Sequence, residues 1–199
     1  LELAGKGVID GIRHAVDHIS RVTGRQFFDR SGNLISPQVT SKRGVDTFAA
    51  TVSVAEPLHV VVSGLVEDFS IASGVRAAAG TYSQVDAIRA DSQGTALTDE
   101  ERVRAIRQAS PDVVLLAGGI DGGASRSVLD TVKAATLACS MMPPDTRPTL
   151  LYAGNSRLRR QVAEIVGEEA ELRVVENVRP TLEEERLAEA QQELQDMFR

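Results

Sequence analysis

A single carboxylate between two pairs of glycines is the feature of this sequence that most suggests chemistry. Residues 118–123 read Gly-Gly-Ile-Asp-Gly-Gly and directly follow an apolar run, residues 113–117. Four glycines in six positions indicate a tight turn or a close approach of the backbone to another group. Asp121 has no evident packing role in such a turn, so we regard it as a candidate functional residue.

Small and polar residues also follow the other predicted strands. Because the carboxyl ends of parallel strands share one edge of a sheet, and ligands bind at that edge, these residues predict a rim that binds a ligand or a partner. The predicted rim consists of Ser63, Gly64, Asp68, Ser70, Gly118, Gly119, Asp121, Gly122, Gly123, Gly154, Asn155 and Asn177. The same residues could instead be turn glycines and helix N-caps, which these residue types favour.

Known phosphate-binding loops do not account for this rim. The sequence has neither Gly-x-Gly-x-x-Gly after the first strand nor the Gly-x-x-x-x-Gly-Lys-Ser/Thr of a P-loop. A phospho-acceptor receiver domain is an alternative, because its acids and its hydroxyl are matched by Glu67, Asp68, Asp121 and Ser156. The lysine that such a domain needs after the fifth strand is replaced by Asn177 or Arg179.

Two histidines near the start of the chain superficially resemble a zinc-binding helix. His14 and His18 are four residues apart, and Asp17 lies between them. No third ligand is evident nearby, and the three side chains fall on the face opposite an apolar stripe. We therefore predict a solvated helix face and no metal site.

The elements that position the rim follow from hydrophobic periodicity. A helix is predicted over residues 7–23, and residues 25–57 indicate a short β extension with a strand at 46–54. Further strands are predicted at residues 58–62, 85–89, 113–117, 149–153 and 172–175. Helices are predicted at residues 70–79, 98–108, 124–138, 157–166 and 182–197.

This alternation of strands and helices predicts an α/β fold. Right-handed crossovers give an open, doubly wound, mainly parallel five-stranded sheet of flavodoxin-like or Rossmann-like type. Residues 1–57 should form an N-terminal helix and β extension packed on the core, and residues 58–199 a (βα)5 domain. Since Leu1 already leads into a helix, we expect one compact unit excised from a longer protein.

Composition narrows the classes of partner. The chain has 199 residues, 42% of them hydrophobic, and a net charge of −6, which argues against nucleic acid and anionic membranes as partners. No apolar run approaches the length of a membrane span. The single cysteine, Cys139, rules out an internal disulfide and fits a cytoplasmic protein. The sequence indicates no oligomeric state.

Several motifs resemble one family, the glutamate (methylaspartate) mutase accessory proteins of MutL type, which are unrelated to mismatch repair. Pro111–Gly123 is similar to that family's Pro-Asp-Ile-Ile-Leu-Leu-Ala-Gly-Gly-Thr-Asp-Gly-Gly run. Shorter matches are found at residues 62–66, 152–155 and 176–180 and in the final helix, so that the resemblance covers residues 47–199.

The resemblance implies a role beside adenosylcobalamin-dependent mutase subunits, as an ATP-driven reactivation or cofactor-exchange factor. Such proteins are placed in the actin, Hsp70 and sugar-kinase superfamily, whose two phosphate loops do not occur here. ATP and Mg²⁺ are therefore expected only in the full-length protein, and no cofactor and no catalytic residue are assigned to this chain. The Asp-x-His-x-x-Gly signature of cobalamin binding is also missing from the sequence.

Overall fold

The computed structural model describes residues 8–29, 31–49, 56–88, 91–92 and 95–198. The chain divides into two compact units, with the boundary between Glu56 and Pro57. The first unit begins with helix α1 (Val8–Thr23), as the periodicity predicts. Gly24 follows with a φ of +62°, the left-handed conformation that commonly ends a helix.

One face of α1 is solvated. Val16 is buried, whereas His14, Asp17 and His18 are exposed. The prediction of a solvated histidine face is confirmed.

Turns follow α1. The carboxylate of Asp29 accepts hydrogen bonds from the N–H groups of Ser31 and Asn33 at 2.8 and 2.9 Å, which closes a turn. The strand predicted for residues 46–54 is not formed over residues 46–49, and residues 50–54 lie outside the described residues. Residues 46–49 are all exposed, Phe48 by 45%, so these four residues offer no buried face that would fix a strand in register.

The second unit contains a parallel sheet. The strands of this sheet are β1 (Leu58–Gly64), β2 (Ser83–Ile88), β5 (Val113–Ala117), β6 (Thr149–Tyr152) and β7 (Leu172–Val174). Two short strands between β2 and β5, β3 (Asp91–Ser92) and β4 (Thr95–Ala96), pair antiparallel with each other. The five-stranded sheet has the order β2-β1-β5-β6-β7, and every pair in it is parallel. This is the flavodoxin-like order, in which the chain reverses direction across the sheet between β1 and β5. The predicted doubly wound fold is confirmed.

Helices cover both faces of this sheet. They are α2 (Ala72–Ala78), which continues from a π-helical turn (Glu67–Ile71), α3 (Asp99–Ala109), α4 (Arg126–Ser140), α5 (Arg159–Val166) and α6 (Ala188–Met197). Successive residues of β1 belong to different hydrophobic clusters, because neighbouring side chains of a strand point to opposite faces of the sheet. Val60 lies in the cluster with Ala77 and Leu194, and Val61 lies in the cluster with Val132. Among the described residues, no helix combines the length and the apolar character that a membrane span requires.

The last helix begins six residues later than predicted, at Ala188 and not at Leu182. Residues 181–187 form a loop, in which Thr181 Oγ1 accepts the N–H of Glu184 at 3.1 Å and Arg186 N–H donates to the Val178 carbonyl at 3.1 Å. Glu185 reaches across to α2, where it accepts a hydrogen bond from Ser73 Oγ at 2.6 Å. These tertiary contacts override the helical tendency of the segment.

Candidate functional site

The loops that follow β5, β6 and β7 are joined at the carboxyl edge of the sheet by Asp121. Its Oδ1 atom accepts hydrogen bonds from the N–H of Ser156 at 2.8 Å and from Asn177 Nδ2 at 2.9 Å. Its own N–H donates to the Pro180 carbonyl at 2.9 Å. The carboxylate that lacked an evident packing role in the sequence therefore connects three strand exits.

Asn155 is a second connecting residue and is 1% exposed. Its Oδ1 atom accepts the N–H groups of Gly122 and Arg157, both at 3.1 Å. It thereby caps the 3₁₀ turn Ser156–Leu158, which agrees with the N-cap interpretation of this residue. The hydroxyl of Tyr152 donates to the Asn155 carbonyl at 2.9 Å, and burial raises the pKa of that hydroxyl.

Asn177 completes the set of contacts and is also 1% exposed. Its Nδ2 atom donates to the Gly119 carbonyl at 3.0 Å as well as to Asp121, and its Oδ1 accepts the Arg179 N–H at 3.0 Å. Every hydrogen-bonding group of this buried amide thus has a role in fixing the loops. We call Asp121, Asn155 and Asn177 the brace.

The predicted glycines serve the same turns. Gly119 and Gly122 have φ values of +72° and +77°, which side chains disfavour. A Cβ atom on Gly64 would lie 2.6 Å from the Ala117 carbonyl oxygen, and one on Gly154 would lie 2.6 Å from that of Gly118. The other two glycines, Gly118 and Gly123, form backbone hydrogen bonds within these turns. The Gly118 carbonyl accepts the Asn155 N–H at 3.0 Å, and the Gly123 N–H donates to the Ile120 carbonyl at 2.9 Å.

The electrostatics of Asp121 suit an acceptor and not a base. Partial burial opposes ionisation, but hydrogen bonds from Ser156 and Asn177, together with the charge of Arg159, hold the pKa of Asp121 below its ordinary value. The carboxylate is therefore ionised at neutral pH, and its Oδ1 atom already serves two donors. A general base needs a pKa near the working pH, which Asp121 does not have.

The other predicted residues do not join the brace. Ser63 is buried within β1, and Asp68 is exposed on the π-helical turn. Ser70 Oγ accepts the N–H groups of Leu65 and Val66 at 3.1 and 3.0 Å and so closes the exit of β1. Within the described ranges, no three His, Cys, Asp or Glu side chains are grouped closely enough to hold a metal ion. Glu67, Asp68 and Asp121, the acids that match a receiver domain in the sequence, accordingly form no such group among the described residues.

Sequence reasoning missed an apolar groove beside the brace. This groove has a volume of about 210 Å³ and is lined by Leu65, Val66, Phe69, Ser70, Gly119, Ile120, Ala124, Arg179 and Leu182. Phe69 is 40% exposed and Leu182 53% exposed, so both lie open to solvent at its mouth. The feature of the sequence that could have indicated this groove is Phe69, an aromatic residue shortly after a strand in a chain with only seven Phe and Tyr residues.

Arg179 is the charged residue of the groove lining. Its guanidinium carbon lies 5.3 Å from the centre of the Phe69 ring, and its Nη1 lies 3.1 Å from a carboxylate oxygen of Glu185. That carboxylate also pairs with Arg76, and hydrogen bonds from Arg76 and Ser73 lower the pKa of Glu185. Two arginines therefore share one ionised carboxylate.

Comparisons with known proteins agree with the motifs. A family model described as "MutL protein" matches residues 3–199. A curated relative, "Protein MutL" of Clostridium tetanomorphum, is 29% identical over 150 residues, which make up 75% of this chain and 30% of the relative. The chain thus spans less than a third of that relative's length. No solved structure matches the chain significantly. Because the family model covers almost the whole chain, this chain belongs to the MutL protein family.

Proposed function

We propose that this chain is an α/β domain of an accessory protein for adenosylcobalamin-dependent glutamate mutase, and that it contacts a mutase subunit. Membership of the MutL family supports the accessory role. The full-length protein would reactivate the mutase or exchange its cofactor. The contribution of this chain would be contact and not chemistry, because Asp121 is committed as a hydrogen-bond acceptor.

The observation that carries the proposal is the exposed apolar surface at the carboxyl edge of the sheet. Val66 is 50% exposed, Phe69 40% and Leu182 53%, and all three line the same groove. Clustered apolar residues that stay exposed in this way are typical of protein-contact sites. Flavodoxin-like folds also bind their ligands at this edge of the sheet.

The domain would be adjacent to a nucleotide site that it does not itself form. Its sequence lacks both phosphate loops of the superfamily that it resembles. ATP and Mg²⁺ would therefore be held by other parts of a longer protein. Contact with the mutase is then expected to respond to ATP.

Retention of the mutase tests this proposal. The immobilised full-length protein would be incubated with purified glutamate mutase, once with and once without ATP and Mg²⁺. We expect specific retention in at least one of these conditions, compared with beads that carry an unrelated flavodoxin-like protein. Equal background retention on both kinds of beads in both conditions would refute the proposed role.

The position of the groove supports a second candidate function, the binding of a small ligand. The groove lies at the reversal point between β1 and β5, where flavodoxin-like folds bind small molecules. Thermal-shift measurements with nucleotides and acidic metabolites would detect such a ligand. A saturable shift that Leu182→Gln abolishes would favour this function, and no shift with any compound would count against it.

A further inference from the structure

We propose that the groove receives one large apolar side chain of the mutase partner, and that a carboxylate of the same partner segment binds Arg179. This inference rests on the proposed function and names the contact through which it would act. The groove is defined by its lining residues, which include Phe69, Ile120, Arg179 and Leu182.

The size of the groove favours a side chain over a cofactor. Pockets that enclose a cofactor or a drug-sized ligand have volumes of roughly 300–1,000 Å³. The groove has about 210 Å³, which is less than such a pocket and accommodates one leucine, phenylalanine or methionine side chain. Single anchors of this kind contribute most of the affinity in many protein interfaces.

The apolar residues that line the groove surround the position that the inserted side chain would occupy. Leu65 and Ile120 are half-buried in the groove, and Phe69 and Leu182 are exposed at its mouth. An inserted side chain would remove all four from water. A small polar metabolite would leave the exposed pair uncovered.

Charge complementarity identifies the second group of the partner. Arg179 shares the carboxylate of Glu185 with Arg76, so these three side chains carry one unbalanced positive charge. The Nε atom of Arg179 is buried, but 17% of the side chain is exposed and the residue lines the groove. A carboxylate pairs with a guanidinium more strongly than a neutral acceptor does, and a partner carboxylate at the exposed part of Arg179 would balance this charge.

The groove is held in shape before any partner arrives. Asn177 accepts the N–H of Arg179, and Arg179 Nη2 donates to the Leu182 carbonyl at 2.6 Å. Glu185 fixes the same loop to α2 through Ser73. A preorganised groove loses little conformational entropy on binding, which favours a stable contact.

Affinity measurements with matched variants test this assignment. The full-length protein and its variants would be titrated with glutamate mutase by biolayer interferometry at low and at high salt. Leu182→Gln removes an exposed groove residue, and Leu137→Gln is the control, because Leu137 is 52% exposed on α4 and is not a lining residue. We expect Leu182→Gln to weaken binding by about tenfold or more and Leu137→Gln by less than about twofold.

A third variant tests the charge. Arg179→Gln should weaken binding by about tenfold at low salt and should reduce the salt dependence that the wild type shows. Circular dichroism and a cooperative unfolding transition would verify that the variant is folded. If it is not, the salt dependence of wild-type binding still tests the charge, because affinity independent of salt would overturn this part of the inference.

The outcomes separate the two proposals. If the wild type does not bind the mutase, the proposed function fails and this inference fails with it. If the wild type binds and Leu182→Gln binds equally well, only the groove assignment is overturned. If a nucleotide displaces the mutase from the wild type but not from Leu182→Gln, the groove is a small-ligand site and the assignment is overturned as well.

Discussion

Replacing Asn155 by alanine would remove a buried side chain of the brace. The amide of Asn155 accepts the N–H groups of Gly122 and Arg157 at 3.1 Å, and alanine can accept neither. Its third contact, from Nδ2 to the Ala124 carbonyl, measures 3.4 Å and is too long to add much. The variant should therefore lose two backbone hydrogen bonds at a buried position.

The expected cost follows from these contacts. A hydrogen bond of this kind contributes about 0.5–1.5 kcal/mol to stability, so the two together contribute about 1–3 kcal/mol. Gly122 is exposed, so water can replace the acceptor that its N–H loses, and the expected loss of stability is about 2 kcal/mol. For a domain of this size such a loss lowers the Tm by roughly 4–8 °C.

Tyrosine fluorescence during urea unfolding measures this change. Both tyrosines of the chain, Tyr82 and Tyr152, lie in the second unit, and the chain has no tryptophan. The control is Gln192→Ala, another amide-to-alanine change in that unit, at an exposed position of α6. An Asn155→Ala protein as stable as Gln192→Ala, within about 0.5 kcal/mol, would refute the structural role of the brace.

Three further predictions concern the same edge and the core. Gly154→Ala should destabilise the second unit by about 2 kcal/mol or more, because its Cβ would lie 2.6 Å from a backbone oxygen, and chemical denaturation would measure the loss. The pKa of Asp121 is held below its ordinary value of 3.8, so the stability advantage of the wild type over Asp121→Asn should be complete at pH 7 and should shrink as the pH falls through the lowered pKa. Urea unfolding at several pH values would measure this advantage, and one that does not shrink at any acidic pH would contradict the prediction. Burial raises the pKa of the Cys139 thiol to about 11, so this cysteine should react with a thiol reagent only on unfolding, and rapid labelling of the native protein would contradict its burial.

The sequence predicted the strands best where burial is complete. Strand β5 was predicted with its observed bounds, because Val113–Ala117 is a continuous apolar run between polar residues and glycines. The order of the strands could not be read in the same way, since the alternation of strands and helices is the same in flavodoxin-like and Rossmann-like folds. The start of α6 was predicted too early because Glu185 forms its contacts with α2, far away in the sequence.

The site was predicted in its location and not in its contacts. Parallel pairing alone places the strand exits at one edge, so the glycines and amides of the rim could be grouped in advance. The role of Asp121 could not be derived, because its donors Ser156 and Asn177 are 35 and 56 residues away in the chain. The groove was missed for the same reason, since Leu182 reaches it only when residues 181–187 form a loop.

The most direct test of the groove as the contact site compares the affinities of two leucine variants of the full-length protein for glutamate mutase. Leu182 and Leu137 are 53% and 52% exposed, so Leu182→Gln and Leu137→Gln remove similar apolar surface from different places. We expect Leu182→Gln to bind about tenfold more weakly than the wild type and Leu137→Gln to bind almost normally. Equal affinities of both variants and the wild type would contradict the claim that the groove is the contact site.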